Sequence, residues 1–599
     1  MILTAALHQQ VHATDIIKGN NTTALNDGGS WVGGGVPGAS DVATWNNTVS
    51  AANTSAMGSN LSFAGILVTG TLSGAIGIST TSFATGSVSA NATTDAITYG
   101  NGTVTNGDAV VFSGTAPTGL FIGRPYYVIN ATGTTYQVSD SINGAAINFT
   151  SAGTSVTQNV QSVLTLGSNG IVVNGSRSLP LLSSVVALSS NQTWSASSGR
   201  TIDSNNNTAN GGLLVLNNGN TLTVDGAGAT QIASLVGTGG LTKNGNGTLA
   251  LVNGIRFSYS GEVRLNSGTV LVGNSNPTGS TTLGTGNLYL GTDASDVAVS
   301  LGVGHNGATS SYDNNTIIEG NATITLGAGT SFRLGTLSTA EKTLAIAGNS
   351  SQSMAFGATT LTGNATFNVG NPTLILAAVG QSGGSKSLVK MGIGILTING
   401  TSTFTGQTIV NSGTLIIGTV GAINSSSSVT VANGAMLTNS NTSTSMSAGL
   451  ILNPGATLSG AGAFAPASMT LVANLTGGNA SFSSINAGTS SLTKSGVMEF
   501  TLSNITDGSY VIFSGSALSG SFSSVTVGGT ALADLGSGNF GGTAGGFDYA
   551  FTNSTNTLGI TTVPEPTTWV LLGLGGVFLI FRVLKSRSAS VSEASASRV

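Results

Sequence analysis

Leu241-Thr242-Lys243-Asn244-Gly245-Asn246-Gly247-Thr248-Leu249 opens a stretch that continues through Tyr259-Ser260-Gly261 and closes on Asn266-Ser267-Gly268-Thr269-Val270-Leu271-Val272-Gly273. The same order returns at Leu388-Val389-Lys390-Met391-Gly392-Ile393-Gly394-Ile395-Leu396, Phe404-Thr405-Gly406 and Asn411-Ser412-Gly413-Thr414-Leu415-Ile416-Ile417-Gly418. A degraded third copy begins Leu492-Thr493-Lys494-Ser495-Gly496. Each copy gives three short strands separated by turn residues, with Gly and Asn supplying positive-φ corners. One such coil cannot bury its own apolar face, so coils must stack. Stacking joins inward Val, Leu and Ile into a thin continuous core and lets Asn or Thr ladder at the corners. The fold class expected is therefore all-β: a β-solenoid (right-handed parallel β-helix), with a small inserted β-module and a single C-terminal transmembrane helix. About 450 residues at ~20–25 per coil give about 20 coils. At ~4.8 Å per stacked strand that is a rod of about 100 Å.

Composition agrees with a turn-dense β-chain. Of 599 residues, 89 are Gly and only 6% are charged, yet 39% are hydrophobic, which separates the chain from a disordered polar one. Cys is absent, so no disulfide can staple the body and stacking must hold it together. The last 18 residues carry Arg582, Lys585, Arg587 and Arg598 against Glu593, which leaves 12 of the 16 basic and 19 of the 20 acidic residues upstream, a net −7. A weakly acidic body without a basic patch argues against nucleic acid as a partner.

Taken in order, residues 1–13 read as a signal-peptide remnant. Met1–Leu7 is apolar and Val11-His12-Ala13 resembles a small-residue cleavage site, although a basic n-region is missing. Residues 14–99 read as the start of the solenoid, with a Val36-Pro37-Gly38 turn before the alternating strand Asp41–Trp45. Residues 100–157 change character, with Gly107–Phe112, Pro117–Leu120 and Tyr126-Tyr127-Val128, and read as an inserted β-module. There Tyr126, Tyr127 and Tyr136 could form a sugar-stacking platform; the preferred reading makes them core aromatics. Residues 158–490 are the repeat-bearing solenoid, with best copies at 240–273 and 387–418. Residues 491–560 form a C-terminal β-region or cap.

The end of the chain has a different design. Val563-Pro564-Glu565-Pro566 precedes an uncharged run, Thr567–Phe581, and then Arg582, Lys585 and Arg587. As a helix at ~1.5 Å per residue the run covers about 22 Å of a ~30 Å hydrocarbon core. Val583 and Leu584 extend the span over 567–584, while Arg582 and Lys585 snorkel outward. Trp569 sits where an interfacial aromatic belongs, and the two prolines break the helix outside the membrane. Cations after the span place the C-terminus, residues 588–599, in the cytoplasm and the body outside.

This ordered triple over 561–587 resembles the PEP-CTERM sorting signal of Gram-negative bacteria. The resemblance implies recognition of Val563, Pro564, Glu565 and Pro566 by exosortase, a membrane-embedded processing enzyme, with the membrane lipid as a second partner through the span. It further implies association with exopolysaccharide and biofilm. The extension Ser588–Val599 is longer than usual for such signals. The copies at 240–273 and 387–418 resemble the autotransporter-associated β-strand repeat: a Leu-Thr-Lys-x-Gly-x-Gly start, an aromatic-x-Gly middle and an Asn-x-Gly-Thr-Leu end. The segment Gly28–Trp45 is similar to the opening of proteins with those repeats. Residues ~100–157 resemble a module inserted in bacterial surface and phage-tail-like proteins.

No catalytic constellation emerges. His occurs only at His8, His12 and His305, and the first two fall in the expected leader, so no metal cluster and no cofactor are expected. Asp293 and Asp296 are a close acidic pair that could bind Ca²⁺ or act on sugar, but a loop turn accounts for them. The expected function is thus a non-enzymatic exported surface or matrix protein. The alternatives are a glycan-binding adhesin and, ranked lower, a β-helical polysaccharide lyase or hydrolase.

Overall fold

A computed structural model describes residues 13–140, 144–182, 184–203, 213–252, 257–272, 282–292, 299–303, 310–327, 331–476, 478–488, 490–515 and 517–563. Residues 1–12 of the expected 1–13 leader, Asp293, Asp296 and His305 lie outside the described residues. So do Pro564, Glu565, Pro566, the expected span 567–584 and the basic Arg582, Lys585 and Arg587. Among the described residues no helix is long and apolar enough to cross a membrane; the helical turn Gly28–Ser30 is a single 3-10 turn. The chain divides into a first unit up to Ala448, with Gly460–Ala463, and a second of Gly449–Ser459 and Phe464 onward.

The first unit is a stack of parallel β-coils. On one sheet Leu241, Val263, Leu288, Thr316, Leu337, Thr359 and Val379 pair in succession. Their spacings of 22, 25, 28, 21, 22 and 20 residues are the lengths of individual coils. A second sheet stacks Thr248–Leu251, Gly268–Val272 and later strands as far as Leu388–Met391 and Thr408–Val410. A third runs Ser353–Phe356, Thr373–Leu376, Ile395–Ile398, Thr414–Ile417 and Met436–Asn439. Strand alternation sends every second residue inward: Leu374, Leu376, Leu396, Ile398, Leu415 and Leu437 are all buried. Corner asparagines bridge coils, as where Asn217 Nδ2 donates to Gly239 O at 2.9 Å and Asn266 Nδ2 to Asn244 Oδ1 at 2.8 Å.

Two features interrupt this unit. At its start, Gly19–Gly38 folds over the first coil. Trp31 meets Trp45 edge-on at 5.7 Å and Phe63 at 6.1 Å, and its indole N–H donates to Leu25 O at 2.8 Å. Further on, a seven-stranded antiparallel sheet runs from Ser82 to Gln161, with its first strands, Ser82–Ser87, Ser89–Asn91 and Ala96–Thr98, before residue 100. The coils on either side close up across it: Leu61 pairs with Leu164 and Ile66 with Ile171, in parallel. An excursion of 80 residues, Ser82 to Gln161, thus leaves one coil and rejoins the next without disturbing the stack.

In the second unit Leu450–Leu452, Ser468–Asn474, Val497–Ser503 and Ser524–Val527 stack in parallel. The free edge of Ser524–Val527 takes a short antiparallel strand, Thr530–Ala531. A five-stranded antiparallel sheet then follows, in the order Gly508–Val511, Thr557–Thr562, Phe547–Thr552, Asn539–Ala544, Ala533–Gly536. Its Phe551 packs on Phe500 and Phe522 of the coils at 6.0 and 5.8 Å.

Candidate functional site

The repeat motif specifies a corner. In the first copy, Leu241 and Lys243 are buried and Thr242 between them is not, so the lysine points inward with the leucine. Its Nζ donates to the carbonyls of Asn244, Gly245 (2.7 Å) and Ser267 (3.4 Å), the last in the next coil. In the second copy Lys390 Nζ donates to Met391 O (2.8 Å), Gly392 O (2.7 Å) and, in the next coil, Ser412 O (3.1 Å). The Ser of each Asn-Ser-Gly also returns a bond across coils, Ser267 Oγ to Gly245 O at 3.1 Å and Ser412 Oγ to Gly392 O at 3.2 Å. The Gly that follows must be Gly. At Gly413 (φ +66°) a Cβ would lie 2.5 Å from both Gly392 O and Gly394 O, and Gly268 (φ +78°) meets Gly245 O and Gly247 O at the same distance.

The two copies do not occupy the same corner. Leu241–Lys243 lies on the first sheet and leads into the second, whereas Leu388–Met391 lies on the second and leads into the third. The motif is therefore a portable way to turn the chain with a buried ammonium satisfied by carbonyls. Burial lowers the Lys243 and Lys390 pKa to about 8. Lys18, bonded to Gly19 O (3.2 Å), Asn21 O (2.9 Å) and Asn21 Oδ1 (3.0 Å), shares that fate for the same cause. In the degraded copy Lys494 reaches into the terminal sheet, to Asn553 O at 3.0 Å and Asn556 Oδ1 at 2.7 Å, and burial lowers its pKa too.

The tyrosines of the inserted module are not a platform. Tyr126, Tyr127 and Tyr136 are 0%, 1% and 1% exposed. Tyr126 and Tyr136 fill the module's own core with Phe112, Val128 and Phe149. Tyr127, on the opposite face of the same strand, packs with Val163, Val185, Leu214 and Val236 where the module meets the coils. Burial pushes the phenols of Tyr126 and Tyr127 up to about 12 and that of Tyr136 further.

Two other places group charged side chains. Arg264 bonds Glu262 at 3.1 Å and Glu319 at 3.3 Å, with its guanidinium 3.8 Å over the Tyr289 ring, a network spread over three coils. With both carboxylates on one guanidinium, it is a surface ion network worth about 0–1 kcal/mol per pair. Arg124 of the module pairs with Asp140 and stacks over Tyr126 at 4.9 Å. Among the described residues no three His, Asp or Glu side chains come together to hold a metal ion.

The last described residues form a tight junction. Thr557–Thr562 is paired on both sides, with Gly508–Val511 and with Phe547–Thr552. Thr562 donates through its N–H (2.7 Å) and hydroxyl (2.6 Å) to Asp507 Oδ1, and the Val563 N–H donates to Gly546 O at 3.0 Å. Folded structure therefore runs to the first residue of the Val-Pro-Glu-Pro run with no linker between.

Comparison with protein families meets these features at the same residues. The Passenger-associated-transport-repeat matches 241–272 and 388–417, the two lysine corners. The PEP-CTERM protein-sorting motif matches 562–587, starting at the junction. No curated protein and no solved structure matches the chain. The two matches mark an exported protein of the envelope or cell surface with β-helical repeats, and the sorting motif implies processing by exosortase-type machinery.

Proposed function

We propose that this chain is a non-enzymatic structural protein of the cell surface or extracellular matrix, associated with exopolysaccharide in a biofilm. Residues 567–584 hold it transiently in the inner membrane, with Arg582, Lys585 and Arg587 on the cytoplasmic side. Val563, Pro564, Glu565 and Pro566 are what the exosortase-type enzyme reads. The observation that carries this reading is that the sorting motif starts at 562, on the last residue of a strand paired on both sides. A processing enzyme acting there would separate a finished β-body from its anchor and leave no loose end on the body. A stack that holds itself without disulfides, and whose upstream charge is weakly negative, suits a scaffold among neutral polymers.

The test is fractionation of the host carrying the intact chain or a variant with Pro564, Glu565 and Pro566 all changed to Ala. The expected result is inner-membrane retention of the variant alone, with the intact chain recovered from the envelope surface or medium. Identical distribution of the two would overturn the proposal.

A further inference from the structure

We infer that the cleft between the inserted module and the coils, lined by Asp140, Thr238, Ser258, Ser260 and Thr285, binds one neutral sugar unit of a polysaccharide. The cleft has a volume of about 220 Å³. Pockets for drug-sized ligands run to roughly 300–1,000 Å³, so this one takes a single ring. Its hydroxyl wall is laid down by the solenoid itself. Gly237 pairs with Tyr259, Ser260 N donates to Gly237 O at 3.2 Å, and Thr285 N donates to Tyr259 O at 2.9 Å. Thr238, Ser260 and Thr285 therefore sit one above another in three successive coils, about 4.8 Å apart, and all three are exposed. That interval is comparable to the separation of distant hydroxyls on one pyranose ring. Tyr259 beneath them is buried, with its hydroxyl given to Thr282 O at 3.2 Å, and so makes a fixed floor.

The opposite wall decides the ligand's charge. Asp140 comes from the module and keeps 45% of its side chain exposed, while its partner Arg124 keeps 4%. The buried guanidinium cancels the carboxylate's charge without being able to reach an anion in the cleft. A single, already paired carboxylate is likewise a poor cation site, since Ca²⁺ takes six to eight oxygens. What the wall retains is acceptor capacity for O–H donors, and the facing wall supplies hydroxyls that both donate and accept. A neutral polyhydroxylated ring satisfies both. The identity of the sugar's source rests on the proposed association with exopolysaccharide; the site itself does not.

The experiment is saturation-transfer NMR on the purified full chain in detergent. The probes are glucose, galactose, mannose and their short oligomers, with galacturonate oligomers and Ca²⁺ as competitors. At least one neutral sugar should bind with a millimolar Kd. Asp140→Asn should weaken it about tenfold, the loss expected of one hydrogen bond. Thr285→Phe, at an exposed position, should fill the cleft and abolish binding with an unchanged unfolding curve. If Thr285→Phe perturbs unfolding, Thr238→Phe provides the same block from the other end of the three-coil row. Absence of binding by every neutral sugar, binding untouched by the blocking variants, or preference for galacturonate or Ca²⁺ would each overturn the inference. Fractionation of the host reads the surface location independently, so a failed sugar site and a failed localisation are distinguishable.

Discussion

Replacing Lys390 by Met tests the corner mechanism, because it keeps the aliphatic stem and removes only the ammonium. Lys390 is fully buried and gives three hydrogen bonds, at 2.8, 2.7 and 3.1 Å, to Met391 O, Gly392 O and Ser412 O. Hydrogen bonds involving a charged group contribute about 1.5–3 kcal/mol each, so three would total at least about 4.5 kcal/mol. The variant also recovers the cost of keeping a charge away from water, the same effect that lowers the lysine's pKa to about 8. The net loss expected is about 2–4 kcal/mol. Because each coil touches mainly its neighbours, the loss should stay local. Native-state hydrogen exchange should quicken by roughly 30- to 700-fold between Leu388 and Gly418 and remain unchanged around Lys243. Exchange within about threefold of the parent in that segment, or an equal loss along the whole chain, would refute the reasoning.

Three further outcomes are expected. Gly413→Ala places a Cβ 2.5 Å from two carbonyl oxygens, whereas Gly434→Ala (φ +72°) meets nothing within 4 Å. Denaturant midpoints should show about 1–2 kcal/mol for the strained backbone alone at Gly434 and a clearly larger loss at Gly413; equal losses would count against the tight corner. On pH, Lys18, Lys243 and Lys390 titrate near 8 in the fold and near 10.5 unfolded. The unfolded chain therefore binds more protons between those values, and stability should rise with pH from about 8 to about 10. Above that, Tyr126 and Tyr127, held up at about 12, stay protonated in the fold while the unfolded phenols ionise near 10. Stability should then fall; a steady decline from pH 8 in urea midpoints would contradict the lysine assignment. Finally, Asp507→Ala removes both bonds to Thr562, at 2.7 and 2.6 Å. Proteolysis just after Thr562 should speed up about fivefold, the effect of about 1 kcal/mol, with the coils intact; unchanged cleavage would mean the strand alone holds the junction.

The stacked coils were legible because Leu-x-Lys-x-Gly-x-Gly and Asn-Ser-Gly-Thr place turn residues and alternating apolar residues at fixed intervals. The inward lysine was not read, since Lys is among the residues least often buried. Yet the signal was present: Leu241/Lys243, Leu388/Lys390 and Leu492/Lys494 all stand two apart, and residues two apart on a strand share a face. The early strands of the inserted sheet were hidden for a compositional reason. Ser82-Phe83-Ala84-Thr85-Gly86-Ser87 uses the same small residues as the coils around it, and nothing local tells an antiparallel partner from a parallel one. The aromatics Tyr126 and Tyr127 announced a distinct module, but which face each one served depended on contacts with Phe149 and Leu214, far along the chain. The cleft was invisible for the same reason. Its lining comes from residues 140, 237–238, 258–260 and 285, brought together only by the coil period and the docking of the module. The sorting tail, by contrast, is contiguous, so its order of Pro-Glu-Pro, apolar run and cations could be read directly.

The most direct measurement is intact-mass and C-terminal peptide analysis of the protein harvested from the outside of the host cell. The account predicts a body ending at or near Val563–Pro566, with every peptide from 567–599 missing from the exterior fraction and found, if anywhere, with the inner membrane. A full-length chain outside the cell still ending at Val599, or a body found only in the cytoplasm, would contradict it.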